Sequence, residues 1–169
     1  MLTKSSVLVI LSINLNAKTM STLSFLKDLG EKIISSNAQT PENDHKTADE
    51  LFNYIKKLGL TYKNIRIAAT AGKVVLEGEV DTQAEAEKIG IAIGNVQGVE
   101  SVENKMRVTV SEPASQYHTV VSGDSLSKIA GKYYGDVQKY DIIFDANKPM
   151  LSDPDKIYPG QVLRIPAQK

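Results

Sequence analysis

Two patterned stretches, separated by the polar pentapeptide Ser111-Glu112-Pro113-Ala114-Ser115, require this chain to build two small cores rather than one. Upstream, Ala48, Leu51, Phe52 and Ile55 fall at i, i+3, i+4 and i+7, one face of a helix. Thr47 and Glu50 have capping-box spacing at its start, and Leu58-Gly59 offers a stop. Ile65, Ile67 and Ala69 then alternate, as do Val74, Leu76, Gly78 and Val80, with Ala71-Gly72 between them: a β-hairpin. Thr82 and Glu85 repeat the capping-box spacing, and Ala86, Ile89 and Ile93 line a second helix that Gly94 and Gly98 can end. Val102, Met106, Val108 and Val110 share one parity, the mark of a one-sided strand. The order is α-β-β-α-β, in which one sheet face buries against two helices.

Beyond the pentapeptide the pattern changes. Tyr117 to Val121 reads as a strand, and Ser122-Gly123-Asp124 as a turn with Asp124 or Ser125 as N-cap. Leu126, Ile129, Ala130 and Tyr133 form a helical face closed by Gly135. Tyr140, Ile143 and Phe144 form another, which Pro149 keeps from continuing. Pro159-Gly160 makes a tight turn into a returning strand, Gln161 to Ile165. The fold class is therefore α+β, two small domains of α-β-β-α-β and β-α-α-β order. Residues 46–111 form the first and 117–167 the second, joined through 112–116.

The N-terminal residues are harder to place. Leu26, Leu29 and Ile33 recur at helical spacing with Gly30 among them, so Ser21 to Gly30 reads as a short helix and Ser35 to His45 as a linker, together residues 21–45. Residues 1–20 are expected to be a leader or a non-native extension. Lys4 before Val7-Leu8-Val9-Ile10-Leu11 and Leu15-Asn16-Ala17 has the outline of a secretory signal. The run is far too short to span a membrane as a helix, which takes about 20 apolar residues. The alternative is that Met20 is the natural start.

Composition removes whole classes of function. Lys plus Arg and Asp plus Glu number 20 each, so no electrostatic footprint for nucleic acid exists. The chain has no cysteine, which rules out disulfides and thiolate catalysis and fits a reducing compartment. His45 and His118 are the only histidines and read as structural. Neither a Gly-rich phosphate loop nor a Gly-x-Ser-x-Gly elbow occurs, no acid–base pair stands out, and two small domains leave no length for a further, catalytic one. The expectation is a monomeric, non-enzymatic protein with no catalytic residues.

Tyr117-His-Thr-Val-Val-Ser-Gly-Asp-Ser-Leu126, then Ile129-Ala130, Tyr133, Ile143, Asn147 and Tyr158-Pro-Gly-Gln-Val-Leu-Arg-Ile-Pro166, resembles the LysM family along the whole module. That resemblance implies a groove for N-acetylglucosamine-containing glycans such as peptidoglycan. Its walls would be Gly123, Asp124, Ser125 and Leu126 on one side and Asn147 to Ile157 on the other. Residues 46 to 110 resemble a BON domain in their element order and in Gly72, Gly78 and Gly98. BON followed by LysM, with Phe25-Leu-Lys-Asp-Leu-Gly-Glu-Lys32, Val96 to Val99 and Ala146 to Gly160, resembles the small bacterial potassium-binding proteins of the Kbp type. The resemblance implies ion homeostasis in the cytoplasm, with potassium held by the backbone carbonyls of Leu26, Leu29, Gly94, Val96 and Val99. The alternative is an envelope protein that grips peptidoglycan through its LysM module.

The ion chemistry has a basis in the residues themselves. A large monovalent cation favours several neutral oxygens, whereas carboxylate cages favour calcium. Asp153-Pro-Asp155 is too short for a calcium loop and reads as a turn. A helix C-terminus leaves carbonyls unpaired at the negative end of its dipole. Gly94-Asn95-Val96-Gln97-Gly98-Val99 is such an end, with glycines that let the backbone curl.

Overall fold

A computed structural model describes residues 21–25, 30, 32–34 and 41–168. The elements of the first domain are strand β1 (Ser21–Ser24), helix α1 (Pro41–Leu58), strands β2 (Asn64–Thr70) and β3 (Lys73–Thr82), helix α2 (Gln83–Gly94) and strand β4 (Ser101–Val110). The sheet order is β1-β4-β3-β2. The hairpin β2–β3 is antiparallel, and its two turn residues, Ala71 (φ 50°) and Gly72 (φ 81°), both take the positive φ that a two-residue turn needs. β3 and β4 run parallel, which requires a crossover, and α2 is that crossover.

Two expectations are corrected at the N-terminal end. Ser21–Ser24 is a strand rather than part of a helix, paired antiparallel to β4 with Leu23 opposite Val102. The ladder continues through the Phe25 N–H to the Glu100 carbonyl at 2.8 Å. A vacant edge on β4 offers backbone partners that outweigh a weak local helical pattern. The rest of the expected helix, Leu26 to Leu29, lies outside the described residues, as do residues 1–20. Helix α1 begins at Pro41 rather than after Thr47, so the expected linker is partly helical. Proline at a first helical position forfeits no hydrogen bond, and the polar first turn carries no apolar signal to betray it.

One face of the sheet is dry. Leu51 and Ile55 from α1, Ile89 and Ile93 from α2, and Val74, Leu76, Val80 and Val102 from the sheet are almost wholly buried together. At the start of α2, Thr82 and Glu85 form the expected capping box, with the Glu85 N–H donating to the Thr82 hydroxyl and the Thr82 N–H donating to the Glu85 carboxylate.

The second domain comprises β5 (Gln116–Thr119), α3 (Leu126–Tyr134), a 3-10 turn (Val137–Lys139), α4 (Tyr140–Ala146) and β6 (Val162–Ile165). β5 and β6 pair antiparallel. Ser125, not Asp124, caps α3, and Gly135 ends it in the left-handed conformation at φ 71°. Leu126, Ile129, Ile143, Leu151, Leu163 and Ile165 make the core.

A two-stranded sheet leaves β6 with an outer edge, and all four of its residues are buried. Two asparagine amides complete that edge. Asn147, at the end of α4, accepts from the Arg164 N–H and donates to the Arg164 carbonyl, both at 2.8 Å. Asn95, at the end of α2 in the other domain, accepts from the Val162 N–H at 2.9 Å and donates to the Val162 carbonyl at 2.8 Å. Between them runs a buried ion pair. The Arg164 Nε donates to the Glu87 carboxylate at 2.6 Å, and the side chains are 10% and 3% exposed. The same carboxylate accepts from Gln83 Nε2 and the Ser115 N–H. Burial alone would push the Glu87 carboxyl up, but the hydrogen bonds from Arg164, Gln83 and Ser115 outweigh it and hold it below the usual range.

Breaking one partner of a buried pair leaves a charge uncompensated. Arg164→Met is expected to cost about 3 kcal/mol of unfolding free energy in urea titrations followed by circular dichroism. Because the folded-state pKa of Glu87 is depressed, its contribution is present above the unfolded carboxylate pKa and fades as pH falls through the folded value. Glu87→Gln should therefore flatten the acid limb of the stability profile while lowering stability near neutrality.

Candidate functional site

The residues from Gly94 to Val99 turn the chain from α2 into β4. The Asn95 N–H donates to the Ile91 carbonyl at 3.0 Å and the Val96 N–H to the Ile93 carbonyl at 3.1 Å, winding the helix off. The Val99 N–H then donates to the Val96 carbonyl, and Gly98 takes φ 99°, which folds the turn back on itself. Gly94, Val96 and Val99 are all buried. The turn is thus a short run of main-chain amides at the negative end of α2, with Gly94, Val96 and Val99 shielded from water.

The N-terminal segment touches this turn at two points. The Phe25 ring sits on the Cα of Gly94, where a Cβ would lie inside the ring. Gly30 (φ 114°) meets the Asn95 carbonyl, where a Cβ would strike the oxygen. Of the five carbonyl positions expected from the sequence, Gly94, Val96 and Val99 therefore share one buried turn. Leu26 and Leu29 lie outside the described residues, and the two residues flanking them, Phe25 and Gly30, both contact that turn. Among the described residues no cluster of three or more His, Asp or Glu side chains is placed to hold a metal ion. Backbone oxygens are the donors this turn offers.

The six positions expected to line a glycan groove are mostly committed to holding the second domain together. Asp124 accepts from the Val121 N–H at 3.0 Å and pairs with His118 Nε2 at 2.8 Å. Those two contacts, the backbone one first, hold its carboxyl below the usual range. His118 is buried, and its other ring nitrogen lies 3.3 Å from the Tyr133 hydroxyl. The Ser125 hydroxyl caps α3 by accepting from the Lys128 N–H, and the Gly123 carbonyl accepts from Lys128 Nζ. Leu126 is core, Asn147 is spent on β6, and Ile157 packs half-buried against the core. Gly123 and Ser125 remain exposed.

Sequence reasoning did not reach Glu87, Asn95 and Arg164. Asn95 stood inside the glycine-flanked turn, but its partner is 67 residues away along the chain. Glu87 sits on a helix face that reads as solvent-exposed until the second domain covers it. A cleft of about 170 Å³ lies beside Asn95, between Tyr54 and Ala92 of one domain and Met150, Lys156 and Tyr158 of the other.

Comparison with known proteins follows this division. The BON domain model matches residues 43–110 and the LysM domain model residues 118–166. The potassium binding protein Kbp of Escherichia coli is 40% identical over 150 residues, covering 88% of this chain and 100% of that protein. This chain belongs to the Kbp family. A Deinococcus radiodurans protein is 34% identical over 74% of this chain and 53% of its own length. The N-acetylmuramoyl-L-alanine amidase Sle1 of Staphylococcus aureus is 27% identical over 90% of this chain and 44% of its own. BON and LysM domains are non-catalytic binding families. No described helix is long and apolar enough to cross a membrane.

The packing of Phe25 on Gly94 gives a direct expectation. Gly94→Ala forces the ring away, and overpacking of this kind costs roughly 1–3 kcal/mol. Combining Gly94→Ala with Phe25→Ala should recover part of that loss, measured as a double-mutant cycle in urea. Simple additivity would show that the two residues do not meet.

Proposed function

We propose that this chain is a non-enzymatic potassium-binding protein whose ion is held by the backbone carbonyls of Leu26, Leu29, Gly94, Val96 and Val99. The observation that carries the reading is the buried turn at the end of α2, on which the N-terminal segment closes through Phe25 and Gly30. Potassium surrenders its hydration shell to several neutral oxygens, and buried main-chain carbonyls beside a helix C-terminus meet that demand without a carboxylate. The Escherichia coli relative, named as a potassium binding protein, aligns with this chain along its full length. The ion would join two segments distant in sequence, a suitable arrangement for a cytoplasmic protein that senses potassium.

A ligand that binds only the folded state adds RT ln(1 + [L]/Kd) to stability, about 2.7 kcal/mol at a hundredfold excess over Kd. The melting temperature should therefore rise with potassium chloride and stay level with sodium chloride at equal ionic strength. Deleting Ser21 to Gly30 should abolish the rise while the circular dichroism spectrum persists. Coincident melting curves in the two salts across the millimolar range overturn the proposal.

The glycan alternative is favoured by one observation, the exposure of Gly123 and Ser125 at the LysM loop. Because Asp124, Leu126 and Asn147 are engaged within the domain, the full chain should remain in the supernatant when purified peptidoglycan is sedimented. Co-sedimentation, with recovery of the protein from the envelope fraction of cells, would support the glycan reading instead.

A further inference from the structure

Asn95 stands between two of the residues assigned to the ion, Gly94 and Val96, and contributes to three contacts at once. Its main-chain N–H closes the last turn of α2 on the Ile91 carbonyl. Its main-chain carbonyl abuts Gly30 of the N-terminal segment. Its side-chain amide pairs with both backbone groups of Val162 in the LysM domain, at 2.8 and 2.9 Å. A single amide with one donor and one acceptor in use against a strand edge has little rotational freedom left. The Asn95 backbone is therefore fixed from the LysM side, and the carbonyls on either side of it are fixed with it. The Glu87–Arg164 pair joins the same helix to the same strand about two turns earlier, so α2 is held to β6 along its length.

We propose that Asn95 is a positioning residue for the ion, through which β6 of the LysM domain sets the spacing and direction of the Gly94 and Val96 carbonyls. This rests on the ion-binding reading above and deepens it. The ion site would then be shaped by three parts of the chain, although the LysM domain contributes no ligand. A ring of carbonyls selects among ions of one charge by how rigidly its size is maintained. Loosening the Asn95 contact should therefore cost selectivity as well as affinity.

The experiment uses the full chain and isothermal titration with potassium chloride and, separately, sodium chloride. Asn95→Ala removes both side-chain bonds to Val162. It is expected to raise the potassium Kd by about tenfold, the equivalent of one or two net hydrogen bonds, and to narrow the potassium-to-sodium ratio. Arg164→Met is the control. It weakens the same domain contact but leaves the Asn95–Val162 pair in place, and should change the potassium Kd by no more than about twofold at a comparable loss of stability. If Asn95→Ala binds potassium like the wild type, or if the two variants shift affinity and ion ratio equally, Asn95 is only part of the domain contact and the inference is overturned. Should Asn95→Ala fail to fold, the neutral Asn95→Ser, whose hydroxyl is too short to reach both Val162 groups, replaces it without adding charge beside the ion. Arg164→Lys replaces Arg164→Met on the same grounds. A wild type that shows no heat of potassium binding removes the ion-binding reading itself, a result distinct from a wild type that binds and an Asn95 variant that binds equally well.

Discussion

The outer edge of β6 has to be satisfied without water, and much of the molecule is arranged around that requirement. The strand is buried along its whole length and has only β5 as a sheet partner, so the backbone groups of Val162 and Arg164 would otherwise be orphans. Two asparagine side chains act as stand-ins for a third strand, Asn147 from within the LysM domain and Asn95 from the BON domain. A primary amide suits this role because it presents a donor and an acceptor side by side, as a peptide unit does. An edge that would invite pairing with another chain is thereby closed inside the same one.

Helix α2 connects this edge to the candidate ion site. It is the crossover between the parallel strands β3 and β4, so its position is fixed by the sheet. Its N-terminus is anchored by the Thr82–Glu85 capping box, its middle by Glu87 to Arg164, and its last turn by Asn95 to Val162. A buried charge pair adds little net stability compared with an apolar contact of the same size. What it adds here is discrimination, since a shifted docking would part the buried Glu87 and Arg164 charges from each other. The ion-binding carbonyls proposed for the end of α2 lie beside the last of these anchors, Asn95 to Val162.

Local signals were readable wherever a residue's role is set by its near neighbours. The capping box at Thr82, the positive φ at Gly72 and Gly135, and the alternation of β3 all involve partners a few residues apart. Ser21–Ser24 departs from its local pattern for the opposite reason. Leu26, Leu29 and Ile33 carry a helical period, but Ser21–Ser24 finds a strand edge more than seventy residues away, and no local pattern announces it. The first turn of α1 carries no local signal because a polar start has no amphipathic face to count. At the candidate site, the glycine-rich helix end was legible as a source of carbonyls, while its contact with Phe25 and Gly30 was not.

The sequence by itself determined that there are two α+β modules and where most of their helices, strands and turns fall. Those properties follow from periodicity, capping and composition, which act over a few residues. Only the tertiary structure decided that Asn95, Glu87 and Arg164 are a junction rather than surface residues, and that Asn147 closes a strand edge. An amide or a carboxylate has the same identity in solvent and in an interface. What separates the two cases is which distant backbone group is brought within hydrogen-bonding reach, and that is a property of the fold.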